Sequence, residues 1–356
     1  MGENVVASVT AAYRGYARRK TLVIALVALG TVALAVVAMG LGSAGLSPLE
    51  VIRALLGRAD PTVSRIVLHI RLPRVLAALL AGAALSLAGC VMQNLLVNPL
   101  ASDYTLGISQ GAAFGAAVAI VAFGAGSTQS TTVDAVWINN PYVVTVFAFL
   151  GAILTTLIVL GMARARGMTP EAMILAGIAM GALFSAGTII TQYFASDVQV
   201  ASIVFWTFGD LGRASWKELA IIAAVTLPVC AFFILNRWSL NAMAAGDDTA
   251  RTLGVNVNRL RLAGMFLASL LAAVCVAFLG IIAFVGLVAP HLMRRLIGGD
   301  YRYLVPGSAV AGAFLLLASD TVGRNIIAPV VLPVGAITSF MGAPLFIYLL
   351  VRGYRR

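Results

Sequence analysis

Charged and reactive side chains are scarce in this 356-residue chain, so the groups able to do chemistry are few. Only 10% of residues are charged, yet AAGDDTARTLGVNVNRLRL (244–262) gathers Asp247, Asp248, Arg251, Arg259 and Arg261. Cys90, Cys230 and Cys275 sit inside apolar runs without metal or disulfide spacing and read as small packed hydrophobes. His69 and His291 are isolated; they read as residues of helix ends, and no metal site is expected. No G-x-x-x-x-G-K-S/T and no G-x-G-x-x-G followed by an acid occurs, so the chain shows no nucleotide-binding motif. Asp103, Glu171 and Asp320 fall at expected helix ends, with no carboxylate in mid-span to couple an ion gradient. The energy source must enter elsewhere.

The charged stretch has its own local logic. Gly246 and Asp247 open a short helical pattern, with Asp248 in the first turn. Acidic side chains there suit free N–H groups and the positive pole of the helix dipole. Arg251 lies toward the other pole, and Gly254 after Leu253 reads as a C-terminal stop. The pattern predicts a capped helix of about two turns that exposes Ala250, Leu253 and Val255. Two readings stay open from the residues alone: a solvated loop, or a rigid knob that docks into a soluble partner.

The elements that must position these groups are membrane helices. Hydrophobic residues make up 61% of the chain, and the mean hydropathy is +1.00. Runs such as TLVIALVALGTVALAVVAMG (21–40) are long enough to cross a bilayer as helices and lack the alternation of barrel strands. The fold class is all-α and polytopic. Apolar segments fall at about 21–41, 74–96, 107–126, 141–163, 173–195, 216–236, 262–280, 281–297, 303–321 and 334–352, the eighth interrupted by Pro290. This gives a leader over 1–20, one membrane domain over 21–352 with the short helix at about 246–254 inside it, and a tail over 353–356. The first run is too long for a cleavable signal and reads as a retained span.

Counting loops with the N-terminus inside puts 16 of the 24 Lys and Arg residues on the inner side. Both termini and residues 244–262 are therefore expected in the cytoplasm. The same bias accounts for the net charge of +11 without a nucleic-acid partner. Gly111-x-x-x-Gly115 and Gly177-x-x-x-Gly181-x-x-x-Ser185 read as internal helix packing.

Four blocks, in order, resemble the FecCD-type permeases of ABC importers, the group that serves cobalamin, haem and ferric siderophores. They are RLPRVLAALLAGAALSLAGCVMQNLLVNPLASDYTLGISQGAAFG (71–115), GDDTARTLGVNVNRLRL (246–262), IIAFVGLVAPHLMRRLIGGDYRYLVPGSAVAGAFLLLASDTVGR (281–324) and LPVGAITSFMGAPLFIYLL (332–350). The resemblance implies a type II importer fold of about ten transmembrane helices in the inner or plasma membrane, working as a homodimer. It implies two ABC ATPase subunits, which bind ATP and magnesium, and a periplasmic or lipid-anchored binding protein. The chain itself then needs no cofactor, and the substrate is an iron chelate, haem or a corrinoid.

The resemblance also assigns residues. Gly246, Asp247, Asp248, Thr249, Ala250, Arg251, Leu253, Gly254 and Val255 become the ATPase-coupling segment. Arg71, Arg74 and Arg324 become contacts for acidic residues of the binding protein, with Arg58 and Arg65 as further contributors. Asn98, Pro99 and Leu100 match a cytoplasmic gate, and Thr169–Glu171 is a second gate candidate. The pore is expected at the dimer axis between 173–195 and 334–352, where Thr188, Thr191, Gln192 and Tyr193 either line it or pack within the subunit. Val331 departs from the glutamate many relatives have before the L/I-P-V-G turn. An ion-coupled transporter without ATPase subunits is the rival reading and would need a mid-membrane carboxylate. A membrane-embedded enzyme would need a cluster of His, Asp or Glu.

Overall fold

A computed structural model describes residues 2–42, 45–124, 126–127, 137–138, 140–327 and 330–353. Helix α1 (Gly2–Gly40) runs unbroken, so residues 2–20 of the expected leader are the first half of one long helix. Helices α2 (Pro48–Leu55) and α3 (Pro61–Arg65) each start on a side-chain cap, Ser47 or Asp60, with proline in the first turn. A π-helical stretch, Ile66–Arg71, leads from α3 into α4 (Leu72–Leu95).

Then follow α5 (Ile108–Ala122), a two-residue strand pair (Gly126–Ser127 with Trp137–Ile138), α6 (Pro141–Ala165) and α7 (Pro170–Tyr193). The chain continues through α8 (Asp197–Thr207), a 3-10 turn at Leu211–Arg213, α9 (Trp216–Leu235), α10 (Arg237–Ala244) and α11 (Asp247–Thr252). It ends with α12 (Val257–Leu279), α13 (Val285–Ile297), α14 (Tyr301–Asn325) and α15 (Val334–Gly353). Residues 354–356, most of the expected tail, lie outside the described residues.

Among the described residues seven helical stretches are long and apolar enough to cross a membrane, and α5 and α15 contain shorter apolar helices. The eighth expected segment corresponds to the 13-residue α13. One end of the bundle is basic: Arg261, Arg294 and Arg302 lie there, the last bonded to Tyr13 of α1. The α4–α5, α6–α7, α9–α12 and α13–α14 connections share it.

Helix α4 is the central post. It meets α14 at Gly82 and Gly312, where a Cβ on either residue would collide with the facing backbone. Ser86 donates to the Ser308 carbonyl at 2.6 Å in the same contact. Gly111 and Gly115 of α5 lie directly on Gly151 and Phe147 of α6, so this small-residue stripe is internal packing, as expected.

The chain turns at 280–284, through Gly280 (φ +79°) and Phe284 (φ +67°), at the boundary expected between 262–280 and 281–297. The expected interruption at Pro290 is not found: Pro290 lies inside a continuous α13. Proline cannot donate to the carbonyl four residues back. Gln93 of α4 fills that role, donating Nε2 to Gly286 O at 3.3 Å and Leu287 O at 3.4 Å. His291 is likewise in the middle of α13, edge-on to the Phe346 ring, and not at a helix end.

Candidate functional site

At the basic end, α9 passes directly into α10, and α11 forms a separate short helix before α12. Gly246 enters α11 at φ +109° and Gly254 leaves it at φ +82°, conformations that glycine adopts without a Cβ penalty. Val255 N–H donates to Ala250 O at 2.9 Å and Gly254 N–H to Arg251 O at 3.0 Å. This paired closure is the glycine-terminated stop expected from the sequence.

The start of the helix differs from expectation: no side chain caps it. Asp247 turns away and accepts from Arg261 Nη2 at 2.7 Å, while Asp248 stays in solvent, 3.6 Å from Arg251. Ala250 also departs from the expected docking face, being 0% exposed. Leu253 is 68% exposed, and Val255 is half-buried.

The residues expected to form a gate lie beside this helix. After α4 ends, Val97 takes φ +48° and the Asn98 side chain accepts from Leu100 N–H at 2.9 Å. Asn98 thus satisfies the backbone freed at Pro99, as its side chain suggests. Leu100 is exposed, as is Pro99. Thr169 caps α7 by accepting from Ala172 N–H at 3.3 Å. A cavity of about 570 Å³ joins the segments, lined among others by Asn98, Pro99, Pro170, Gly246, Asp247 and Arg261. Helix α11 and both expected gate segments, far apart in sequence, therefore surround one space.

Two carboxylates strengthen this end. Asp300 caps α14, accepts from Asn241 of α10 at 2.9 Å and is clasped by Arg302. Burial alone would raise its pKa, but the Arg302 and Asn241 hydrogen bonds outweigh it and hold the carboxyl at about 2. Asp103, in the connection after the gate, is pushed upward by burial although the Ser109 hydroxyl donates to it at 2.8 Å.

At the opposite end, the three arginines expected to meet a binding protein form an internal cluster. Arg71 is 6% exposed and donates to Met39 O (2.6 Å) and Gly40 O (3.0 Å), the last carbonyls of α1. Arg74 makes a forked contact with Asp320 at 2.8–3.3 Å and reaches Asp210 at 3.3 Å. Arg324 donates to the same Asp320 at 3.0 Å. Asp320 is 1% exposed, five residues before the end of α14, and this cluster is its environment. The arrangement fastens α1, α4, α14 and the α8–α9 connection together. Val331 lies on a second cavity at this end, of about 540 Å³, beside Asp210, Arg213 and Glu218.

The expected pore residues occupy the last turns of α7. Thr188 and Thr191 donate to their own helix, to Phe184 O at 2.9 Å and Gly187 O at 2.8 Å. Gln192 is half-buried, and Tyr193 projects outward with its ring edge-on to Phe194. No group of three or more His, Cys, Asp or Glu side chains fit for a metal occurs among the described residues.

The residue that sequence reading missed is Arg261. It has a signal: a cation close to the N-terminal, positive end of α12 is disfavoured unless something nearby accepts it.

The FecCD transport family model matches residues 29–352. The chain belongs to the FecCD transport family. A Methanocaldococcus jannaschii protein bearing the name of an ABC transporter permease, MJ0087, is 52% identical over 345 residues, 97% of this chain and 98% of its own. The Fe(3+)-citrate import system permease protein YfmE of Bacillus subtilis is 39% identical over 337 residues, 94% of this chain and 96% of its own. A solved structure described as an inward-facing conformation of a metal-chelate type ABC transporter matches with a TM-score of 0.81 at 30% identity. It covers 93% of this chain and 99% of that one. This family member is a multi-pass permease subunit of an ABC importer with the type II fold, and not itself an enzyme.

Proposed function

We propose that this permease imports an iron(III) chelate as a pair of identical chains, driven by two ATPase subunits that hold α11 at the basic end. The observation that carries the proposal is α11 itself. It is a six-residue helix set off by glycines, exposed at Leu253 and fastened from behind through Ala250 and Asp247. Such a helix presents a small rigid face to a cleft in a partner. The excess of Lys and Arg at this end supports a cytoplasmic location for α11 and both termini. ATP and magnesium then belong to the ATPase partner, and no cofactor is assigned to this chain.

Pairing of two chains is supported by the apolar faces that α7 and α15 turn outward, Leu175, Ile178 and Leu183 on one and Phe340, Ile347 and Val351 on the other. Thr188, Thr191, Gln192 and Tyr193 then lie near the path between the copies, and Asn98, Pro99 and Leu100 close it on the cytoplasmic side. A binding protein docks at the opposite end. There Arg74 and Arg324 through Asp320, and Arg71 through the last carbonyls of α1, fix the shape of the receiving surface, and the exposed Arg58 and Arg65 offer charge for steering. The iron-chelate substrate is favoured by the ferric-citrate relative; haem and corrinoid are the alternatives in a ligand screen of the binding protein.

The test is Leu253→Asp in the full chain co-expressed with its ATPase. The variant is expected to insert normally and to lose ATPase co-purification. Normal co-purification together with normal uptake would sink the assignment of α11.

A further inference from the structure

We propose that Arg261 is the positioning residue that transmits movement of α11 to both gate segments. This rests on the reading of α11 as the ATPase-coupling helix and extends it by naming the route inside the permease. One guanidinium, 2% exposed, makes three contacts. Nε donates to Leu95 O at 3.0 Å, Nη1 to Met168 O at 3.2 Å, and Nη2 to Asp247 Oδ1 at 2.7 Å. Leu95 is the last residue of α4, just before the gate turn at Asn98–Leu100. Met168 directly precedes Thr169, the cap of α7. Asp247 is the first residue of α11.

A guanidinium is a planar fork, so its acceptors are held in fixed directions relative to one another. If α11 moves, Arg261 must follow, and Leu95 and Met168 must then follow or lose their bonds. Loss is expensive, because a buried donor has no water to turn to. The three segments therefore move as one body. Both gate segments also contain a non-glycine residue in left-handed backbone, Val97 (φ +48°) and Met168 (φ +60°). Such residues persist only where the surroundings hold them, and they cluster at switching segments. The cavity of about 570 Å³ lined by Arg261, Asn98 and Pro170 gives the segments space to shift.

Stability alone does not account for the arginine. A buried ion pair is seldom more stabilising than apolar side chains of the same volume, and this one sits near the positive pole of α12. Lysine would supply charge and donors without the fixed fork, which makes it the discriminating replacement.

The experiment is hydrogen exchange on the full permease–ATPase complex, with and without trapping by ATP and vanadate. It follows peptides covering 95–107, 166–172 and 246–256. In the wild type all three should change protection on trapping. Arg261→Gln should keep the change at 246–256 and lose it at the two gate segments. Arg261→Lys should restore it in part, and Asp247→Ala, which leaves the guanidinium bonded to Leu95 and Met168, should also lose the gate response. Gate segments that respond in Arg261→Gln and Asp247→Ala as in the wild type would overturn the proposal. The wild-type permease without its ATPase is the reference: if 246–256 gains no protection when the ATPase is bound, the reading of α11 itself fails, a result distinct from loss confined to the gates.

Discussion

Asp320 ties two helices together, because partly buried arginines from α4 and α14 share its carboxylate. Asp320→Asn would leave Arg74 and Arg324 without that charge, and breaking a buried pair in this way costs about 3–5 kcal/mol. Thermal unfolding in detergent should show a large fall in midpoint; an unchanged midpoint would remove the cluster from the stability account. Asp300 supplies the pH dependence. Its carboxyl is held at about 2 in the fold against an ordinary 3.8. The folded state therefore binds that proton less tightly than the unfolded chain. The resulting stabilisation, on the order of 2 kcal/mol, is complete above about pH 4 and disappears as pH falls from about 4 to 2. The stability gap between the wild type and Asp300→Asn should close over that range. The Arg74–Asp320 pairing was not readable from the residues alone: the two are 246 positions apart, and sequence placed both only near helix ends.

At the scale of elements, hydropathy made the long spans legible, because a bilayer imposes length and composition on each helix independently. It also placed α11, whose glycine stop is a local feature. Two things were not local. Pro290 does not interrupt α13, because Gln93 from α4 donates to Gly286 O, the carbonyl that the proline leaves open. The start of α11 lacks the expected acidic cap because Asp247 is drawn to Arg261, fourteen residues on. Helix–helix distance is likewise set by particular glycines. Gly82→Val should separate α4 from α14, as extra volume in a packed contact is typically destabilising by about 1–3 kcal/mol or more. Size-exclusion chromatography of a fluorescent fusion should lose its monodisperse peak. Gly161→Val, at a position with open space, should keep that peak.

For the whole molecule, the division of labour follows from where charge lies. The apolar spans hold no mid-span carboxylate, and buried Asp320 is committed to arginines near a helix end. At the basic end, α11 and the expected gate segments share one cavity. The proposed drive is ATP hydrolysis by a bound partner alone, delivered through α11. The most direct test is uptake into proteoliposomes containing the permease, its ATPase and its binding protein. Iron(III)-citrate, haemin and cobalamin would be offered in turn, with and without ATP and with ion gradients imposed or collapsed. The prediction is uptake that requires ATP and survives collapse of proton and sodium gradients. Uptake driven by an imposed gradient in the absence of the ATPase would contradict it.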